Sequence, residues 1–184
     1  MKRIVLGVSA SIAAYKAASI VSELKKRGVD VHVVMTEHST EFITPLTLQI
    51  LSGNPVHVDV MTEPSVERIN HIFLAQNTDL LLVAPTTANM IGKLANGIAD
   101  DMLSTVCMAT PQTTPRLFAP AMNTKMYEQP VTQDNLEKLK RYGYEEIKPI
   151  TEKLACGDVG IGAMAPVSEI VDLVMAKLNE SPIV

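Results

Sequence analysis

Three features of the sequence predict a three-layer α/β fold built on a doubly wound parallel sheet. Ile4 to Val8 is a short β-branched run. A small-residue turn follows, then a helical pattern from Ile12 to Arg27 that stops at Gly28, then a second apolar run from Val29 to Met35. Strand, turn, helix and strand in that order make a βαβ unit, because parallel strands need a crossover between them. The third feature is Leu80-Leu81-Leu82-Val83, an apolar run without a polar break, which reads as a central strand buried on both faces. Apolar runs and helical patterns alternate along the 184 residues with no repeat and no internal linker, so residues 1–184 read as one domain.

Taken in order, the first turn, Gly7-Val8-Ser9-Ala10-Ser11, lies where a helix N-terminus points backbone N–H groups at an anion. Ser9 and Ser11 add hydroxyls. The fingerprint G-x-G-x-x-G is absent, which suits a mononucleotide phosphate better than a dinucleotide. Capping of the helix by Ser9 or Ser11 is the plainer account of the same residues. After the second strand, Thr36 to Phe42 lies beyond a carboxyl end, where α/β folds bind ligands. Ser39 or Thr40 there either caps the next helix or touches a phosphate. A helix is expected over Thr44–Leu51, closed by Gly53-Asn54-Pro55, then an extended piece over Val56–Val60 and a polar loop over Met61–Arg68. His71 stands beside an apolar segment, and its spacing to Cys, Asp and Glu fits no metal site.

The central strand runs into Ala84-Pro85-Thr86-Thr87-Ala88-Asn89, then a helix from about Met90 to Asn96. Thr87 caps that helix, and Asn89 offers donor and acceptor in one plane. Leu103–Ala109 reads as helix, with Cys107 a buried, inert thiol. Arg116–Ala119 is the fourth core strand. It leads into Pro120-Ala121-Met122-Asn123-Thr124-Lys125-Met126-Tyr127, a stiff apolar stretch around one amide, which is how a binding site holds a single polar group. A helix from Pro130 or Val131 to Arg141 and a strand over Tyr144–Pro149 follow. Leu154 to Pro166 carries three Gly in six positions and reads as a mobile loop, able to close as a lid, with Cys156 at its base. Ser168–Leu178 is a closing amphipathic helix.

The chain is 47% hydrophobic and 20% charged, with a net charge of −4 and no Lys/Arg block, which argues against a nucleic-acid partner. Two cysteines make no disulfide framework. The N-terminal apolar run is too short for a signal peptide or a membrane span, so a cytoplasmic protein with no membrane contact is expected.

Four motifs carry a resemblance that covers Lys2 to Leu178. They are Gly7-Val8-Ser9-Ala10-Ser11-Ile12-Ala13-Ala14-Tyr15-Lys16, Ala84-Pro85-x-Thr87-Ala88-Asn89 with Gly92–Asp101, Pro120-Ala121-Met122-Asn123-x-x-Met126 plus an aromatic, and Ala155-Cys156-Gly157-Asp158 with Gly160-x-Gly162. Together they resemble the flavin-dependent cysteine decarboxylases, whose fold is a Rossmann-like flavoprotein sheet. The resemblance implies FMN held by Ser9, Ala10, Ser11, Ser39, Thr40, Thr87, Ala88, Asn89, Met90 and Ala121. It implies a substrate, 4'-phosphopantothenoylcysteine, held by Asn123, Met126, Gly162, Ala163 and Met164. His71, Asn123 and Cys156 would be catalytic: the amide on the substrate carboxylate, the imidazole in proton transfer, the thiol in the last reduction. The implied activity is that of a carboxy-lyase making 4'-phosphopantetheine for coenzyme A, in a homotrimer or dodecamer with sites between subunits and no metal. Tyr127 stands where the family usually has Trp, Ala10 where it has Gly, Ala163 where some members have Arg, and Pro166 where Glu is common. A peptidyl-cysteine decarboxylase, a flavin prenyltransferase and a non-catalytic flavin-binding phosphatase regulator are the alternatives. The prenyltransferases lack the Pro-Ala-Met-Asn signature, and the regulators typically carry long acidic tails.

Overall fold

The computed structural model describes residues 1–62, 68–154, 157 and 159–180. In chain order the elements are β1 (Arg3–Val8), α1 (Lys16–Lys26), β2 (Asp30–Met35), α2 (Pro45–Ser52), β3 (Val56–His57), α3 (Asn70–Gln76), β4 (Leu80–Thr86), α4 (Ala88–Asn96), α5 (Met102–Ala109), β5 (Arg116–Pro120), α6 (Thr124–Tyr127), α7 (Pro130–Arg141), β6 (Tyr144–Glu146), β7 (Ile150–Lys153), β8 (Val159–Ala163) and α8 (Val167–Glu180). Single 3-10 turns, Ile12–Tyr15 and Glu37–Glu41, follow β1 and β2.

Six strands form a parallel sheet in the order β3-β2-β1-β4-β5-β6. Alternation along the strands divides the core in two. Ile4, Leu6, Leu80, Leu82 and Leu117 face α1, α2 and α8, while Val5, Leu81, Val83 and Phe118 face α3, α4, α5 and α7. Burial on both faces explains the unbroken apolar run of β4, which is buried throughout. The winding reverses between β1 and β4. Two successive crossovers leave β1 towards β3, and the chain then returns to the other side, so the strand ends part and leave a crevice there.

Most helix ends lie where the sequence puts them. Gly28, Gly53, Gly97 and Gly143 all have positive φ just past a helix. Thr44 caps α2 and Thr87 caps α4. The expected first helix is a 3-10 turn that continues into α1. Ser39 and Thr40 do not cap the helix that follows them; their hydroxyls close their own turn, Ser39 on the Thr36 carbonyl and Thr40 on that of Glu37. One expectation is corrected in kind. The Gly-rich stretch expected as a loop supplies one strand of an antiparallel hairpin, β8, which pairs with β7 just before the stretch, Thr151 with Ile161 and Glu152 with Gly160. Its residues Ala155, Cys156 and Asp158 lie outside the described residues.

Candidate functional site

A cleft of about 970 Å³ opens at the carboxyl ends of β1, β4 and β5. Ser9 fixes its floor. The Ser9 hydroxyl donates to the Pro85 carbonyl at 2.8 Å and accepts the Thr87 N–H at 3.0 Å, stitching the end of β1 to the end of β4. Ser9 is fully buried, and its proton is spent on this stitch. Ser9 also lines the cleft, with its hydroxyl engaged in this stitch. Ser11 accepts the Ala13 N–H and so caps the 3-10 turn.

Ala10, Ser11, Thr87, Ala88, Asn89, Met90 and Ala121 line the cleft together with Asn123, Met126, Gly162, Ala163 and Met164. Ser39 and Thr40 do not line it. Ser39 is buried beneath the turn, and Thr40 bonds back into it. The turn faces the cleft instead through Thr36, Glu37, His38 and Phe42. Thr36 Oγ1 is buried with no hydrogen-bond partner among the described residues, the state of a hydroxyl that lacks a ligand's oxygen. The signal for Thr36 was present in the sequence: it is the first polar residue after the Val33-Val34-Met35 run, at a strand's carboxyl end.

Lys93 also lines the cleft and was not foreseen as a site residue. Its ammonium lies 2.6 Å from Asp100 and 2.6 Å from Asp101. Burial works against its charge, but the two carboxylates outweigh it and push its pKa up. Asp101 caps α5 by accepting the Ser104 N–H at 2.8 Å, while Ser104 Oγ accepts the Asp101 N–H. Burial pushes the Asp101 pKa up, and Lys93 and Ser104 more than reverse it. This wall thus holds one cation between two carboxylates.

Asn123 caps the short helix α6, its Oδ1 accepting the Lys125 N–H at 2.9 Å. With its oxygen held, the amide turns its donor end the other way. The hairpin forms the opposite wall. The Met122 N–H donates to the Gly162 carbonyl at 3.0 Å. A Cβ on Gly162 would lie 2.3 Å from the Met122 carbonyl oxygen, and one on Gly160 2.5 Å from Thr124 Oγ1. Only glycine permits so close a docking of β8 on the Asn123 segment.

His71 does not join Asn123 within one chain. It sits in the first turn of α3, which packs on α5, away from the cleft lining. Its Nδ1 is buried with no hydrogen-bond partner among the described residues. Cys156 lies outside the described residues. Cys107 is buried in α5, where burial, and secondarily Asp101, pushes its thiol up to about 12. Its burial is as expected.

A planar, phosphorylated group fits this cleft. An unsatisfied buried hydroxyl, a capped helical turn and the N-terminus of α4 face one space at the switch point. The family model described as Flavoprotein matches residues 1–179. The chain belongs to the Flavoprotein family. Among its relatives, this flavoprotein is 51% identical over 177 residues to a probable phosphopantothenoylcysteine decarboxylase of Streptococcus mutans, covering 96% of this chain and 99% of that one. It is 47% identical over 179 residues to the coenzyme A biosynthesis bifunctional protein CoaBC of Escherichia coli K12, covering 97% of this chain but 43% of that one. The flavoprotein thus spans less than half of the bifunctional relatives. Among solved structures it resembles a cysteine-to-serine mutant of PPC decarboxylase complexed with pantothenoylaminoethenethiol, with a TM-score of 0.86 and 33% identity over 98% of this chain and 99% of that one. It also resembles the FMN-binding protein AtHal3, with a TM-score of 0.84 and 32% identity over 99% of both.

Proposed function

We propose that this flavoprotein is an FMN-dependent phosphopantothenoylcysteine decarboxylase, forming 4'-phosphopantetheine in coenzyme A synthesis in the cytoplasm. The observation that carries the reading is the meeting of two parts in one cleft: a phosphate-and-ring site at the β1/β4 crevice, and the Asn123 amide clasped by the hairpin. Full-length similarity to a probable decarboxylase supports it.

Ser11 and Thr36 would hold the FMN phosphate at the start of the Ile12–Tyr15 turn. Thr87, Ala88, Asn89 and Met90 would hold the ring edge, with Ala121 beneath it. When bound, FMN would take two electrons from the substrate thiol, creating the electron sink without which loss of CO₂ would leave an unstabilised carbanion, and would return the same two electrons so that the product is a thiol again. The chain's own part is alignment and proton handling. Asn123 donates from its amide to the substrate carboxylate. The hairpin, through Gly162, Ala163 and Met164, closes beside it and excludes water. His71 acts as acid or base on the substrate. Because one chain keeps His71 apart from Asn123, a neighbouring subunit delivers it, in a homotrimer or a dodecamer built of trimers. Cys156, by resemblance, donates the proton that completes the product, and the ethenethiol in the related mutant complex is what an enzyme lacking that thiol would retain.

The test is mass analysis of the products formed from 4'-phosphopantothenoylcysteine by the purified protein loaded with FMN. Phosphopantetheine and CO₂ are expected. Turnover of a C-terminal peptidyl cysteine in preference to this substrate would assign the chain to peptide decarboxylation instead, and no CO₂ from either would leave it a flavin-binding regulator.

A further inference from the structure

We infer that Tyr127 is a positioning residue, whose phenol, tethered to the carboxylate of Glu146, holds the Asn123 amide in place. The inference rests on the substrate role proposed for Asn123. Helix α6 has four residues, too few to hold its own shape in water. Its position therefore depends on what grips it. Thr132 Oγ1 donates to the Met126 carbonyl at 2.7 Å, and Gln133 Nε2 to the Tyr127 carbonyl at 2.6 Å. Both grips come from the neighbouring turn of α7. The phenol of Tyr127 donates to Glu146 Oε1 at 2.8 Å, a contact that ties α6 to a strand of the main sheet.

The tether is built at both ends. The Glu146 side chain is only 4% exposed, and its second oxygen lies 3.4 Å from Lys140, which also holds Glu137 at 2.8 Å. A buried carboxylate held this way accepts a strong, directional O–H bond. Tyr127 packs against the core formed by α4, α5 and α7. Burial, and then Glu146, pushes the phenol pKa up, so it remains a donor at any physiological pH. The Tyr127 and Met126 N–H groups both donate to the Asn123 carbonyl at 3.0 Å. Movement of Tyr127 is passed by these two bonds to the backbone of Asn123, whose side chain sets the amide. The rival account is that Tyr127 fills space at the core's edge and its hydroxyl is incidental.

The experiment compares the FMN-loaded wild type with Tyr127→Phe, Glu146→Gln, Glu146→Ala and the double variant Tyr127→Phe/Glu146→Ala. Phenylalanine keeps the ring and removes only the tether. The expected result is a KM for phosphopantothenoylcysteine raised about tenfold, the usual measure of one charge-assisted bond, with kcat within about threefold and FMN affinity unchanged. Glu146→Gln keeps an acceptor and should raise KM less than Tyr127→Phe. Glu146→Ala should reproduce Tyr127→Phe, and the double variant should be no worse than either. A lower kcat at unchanged KM, or effects that multiply in the double variant, would overturn the tether. Hydrogen exchange of the Met126, Tyr127 and Glu128 amides is read in parallel. Faster exchange in Tyr127→Phe is expected whatever the substrate proves to be, and unchanged exchange would overturn the inference. An inactive wild type with faster exchange in the variant would sink the decarboxylase reading and leave the tether standing.

Discussion

Gly162→Ala tests whether the hairpin must dock for turnover. Gly162 has φ +144 and its carbonyl accepts the Met122 N–H at 3.0 Å, while a Cβ there would stand 2.3 Å from the Met122 carbonyl oxygen. Normal van der Waals spacing requires the two backbones to part by about 1 Å. That separation breaks the hydrogen bond, worth about 0.5–1.5 kcal/mol. The backbone conformation adds strain of about 1–3 kcal/mol for a residue with a side chain. The docked state is then disfavoured by about 1.5–4.5 kcal/mol, and kcat/KM should fall at least about tenfold if only the docked state reacts. Flavin should stay bound, because Ser11, Thr36, Thr87 and Asn89 belong to other elements. The control is Gly53→Ala, at φ +72 with nothing within 4 Å of its added Cβ: similar strain, no docking contact, and wild-type kcat/KM. CO₂ release and flavin absorbance are measured on each variant. A Gly162→Ala protein within about threefold of wild type would refute the argument that docking is required.

Asn123→Asp should keep its flavin and lose decarboxylation by about three orders of magnitude, since two carboxylates about 4 Å apart repel by about 4 kcal/mol at an effective dielectric near 20; normal CO₂ release would remove the assigned role. His71→Asn should be inactive alone, yet mixing it with Asn123→Asp under conditions that exchange subunits should restore activity, because mixed oligomers contain some sites with both native residues; no recovery would show that the two residues do not meet across an interface. Cys107, with its thiol pushed to about 12, should resist a thiol reagent at pH 8 in the folded protein and react on unfolding, as read by the colour of released reagent. Acid stability should depend on Asp30: burial raises its pKa, but Asn54, Arg3 and His32 outweigh that and hold it at about 2. Its pKa is depressed on folding, so its contribution is present above the unfolded value near 4 and is lost as pH falls towards 2. Asp30→Asn should therefore flatten the loss of melting temperature between those pH values, and an unchanged profile would contradict the assignment.

The strands and most helices were legible because each obeys a one-dimensional rule. β4 is apolar without interruption since both its faces are covered, and Gly28, Gly53, Gly97 and Gly143 end helices since each backbone turns left-handed there. The cleft was legible as a place, at the carboxyl ends of β1, β4 and β5. The hairpin was not. Its strands have few β-formers, and the glycines that mark a loop in sequence are there because Met122 and Thr124 approach β8 too closely for any side chain. Hydroxyl roles were also hidden. Ser9, Ser39 and Thr40 look like ligand donors, but each gives its proton to a nearby carbonyl, whereas Thr36, marked in the sequence only by its place just past a strand, has a buried oxygen with no partner among the described residues. Which hydroxyl remains for a ligand depends on backbone geometry that residue types do not encode. The separation of His71 from Asn123 depends on helix placement in space, again beyond what spacing along the chain conveys.

The Ser9 stitch has a consequence for how this site can change. The ladder between β1 and β4 ends at the Gly7–Val83 pair, and beyond it Ser9 keeps the strands from splaying, its N–H and hydroxyl both donating to the Pro85 carbonyl and its oxygen accepting the Thr87 N–H. One wall is thereby bolted to the sheet, while the other is a two-stranded flap resting on glycine contacts. Adaptation to a bulkier or smaller thiol is thus taken up by the flap, leaving the phosphate seat undisturbed. Retention of the coloured group and choice of substrate become separately adjustable properties, and a library confined to residues 159–164 should shift substrate preference without bleaching the protein.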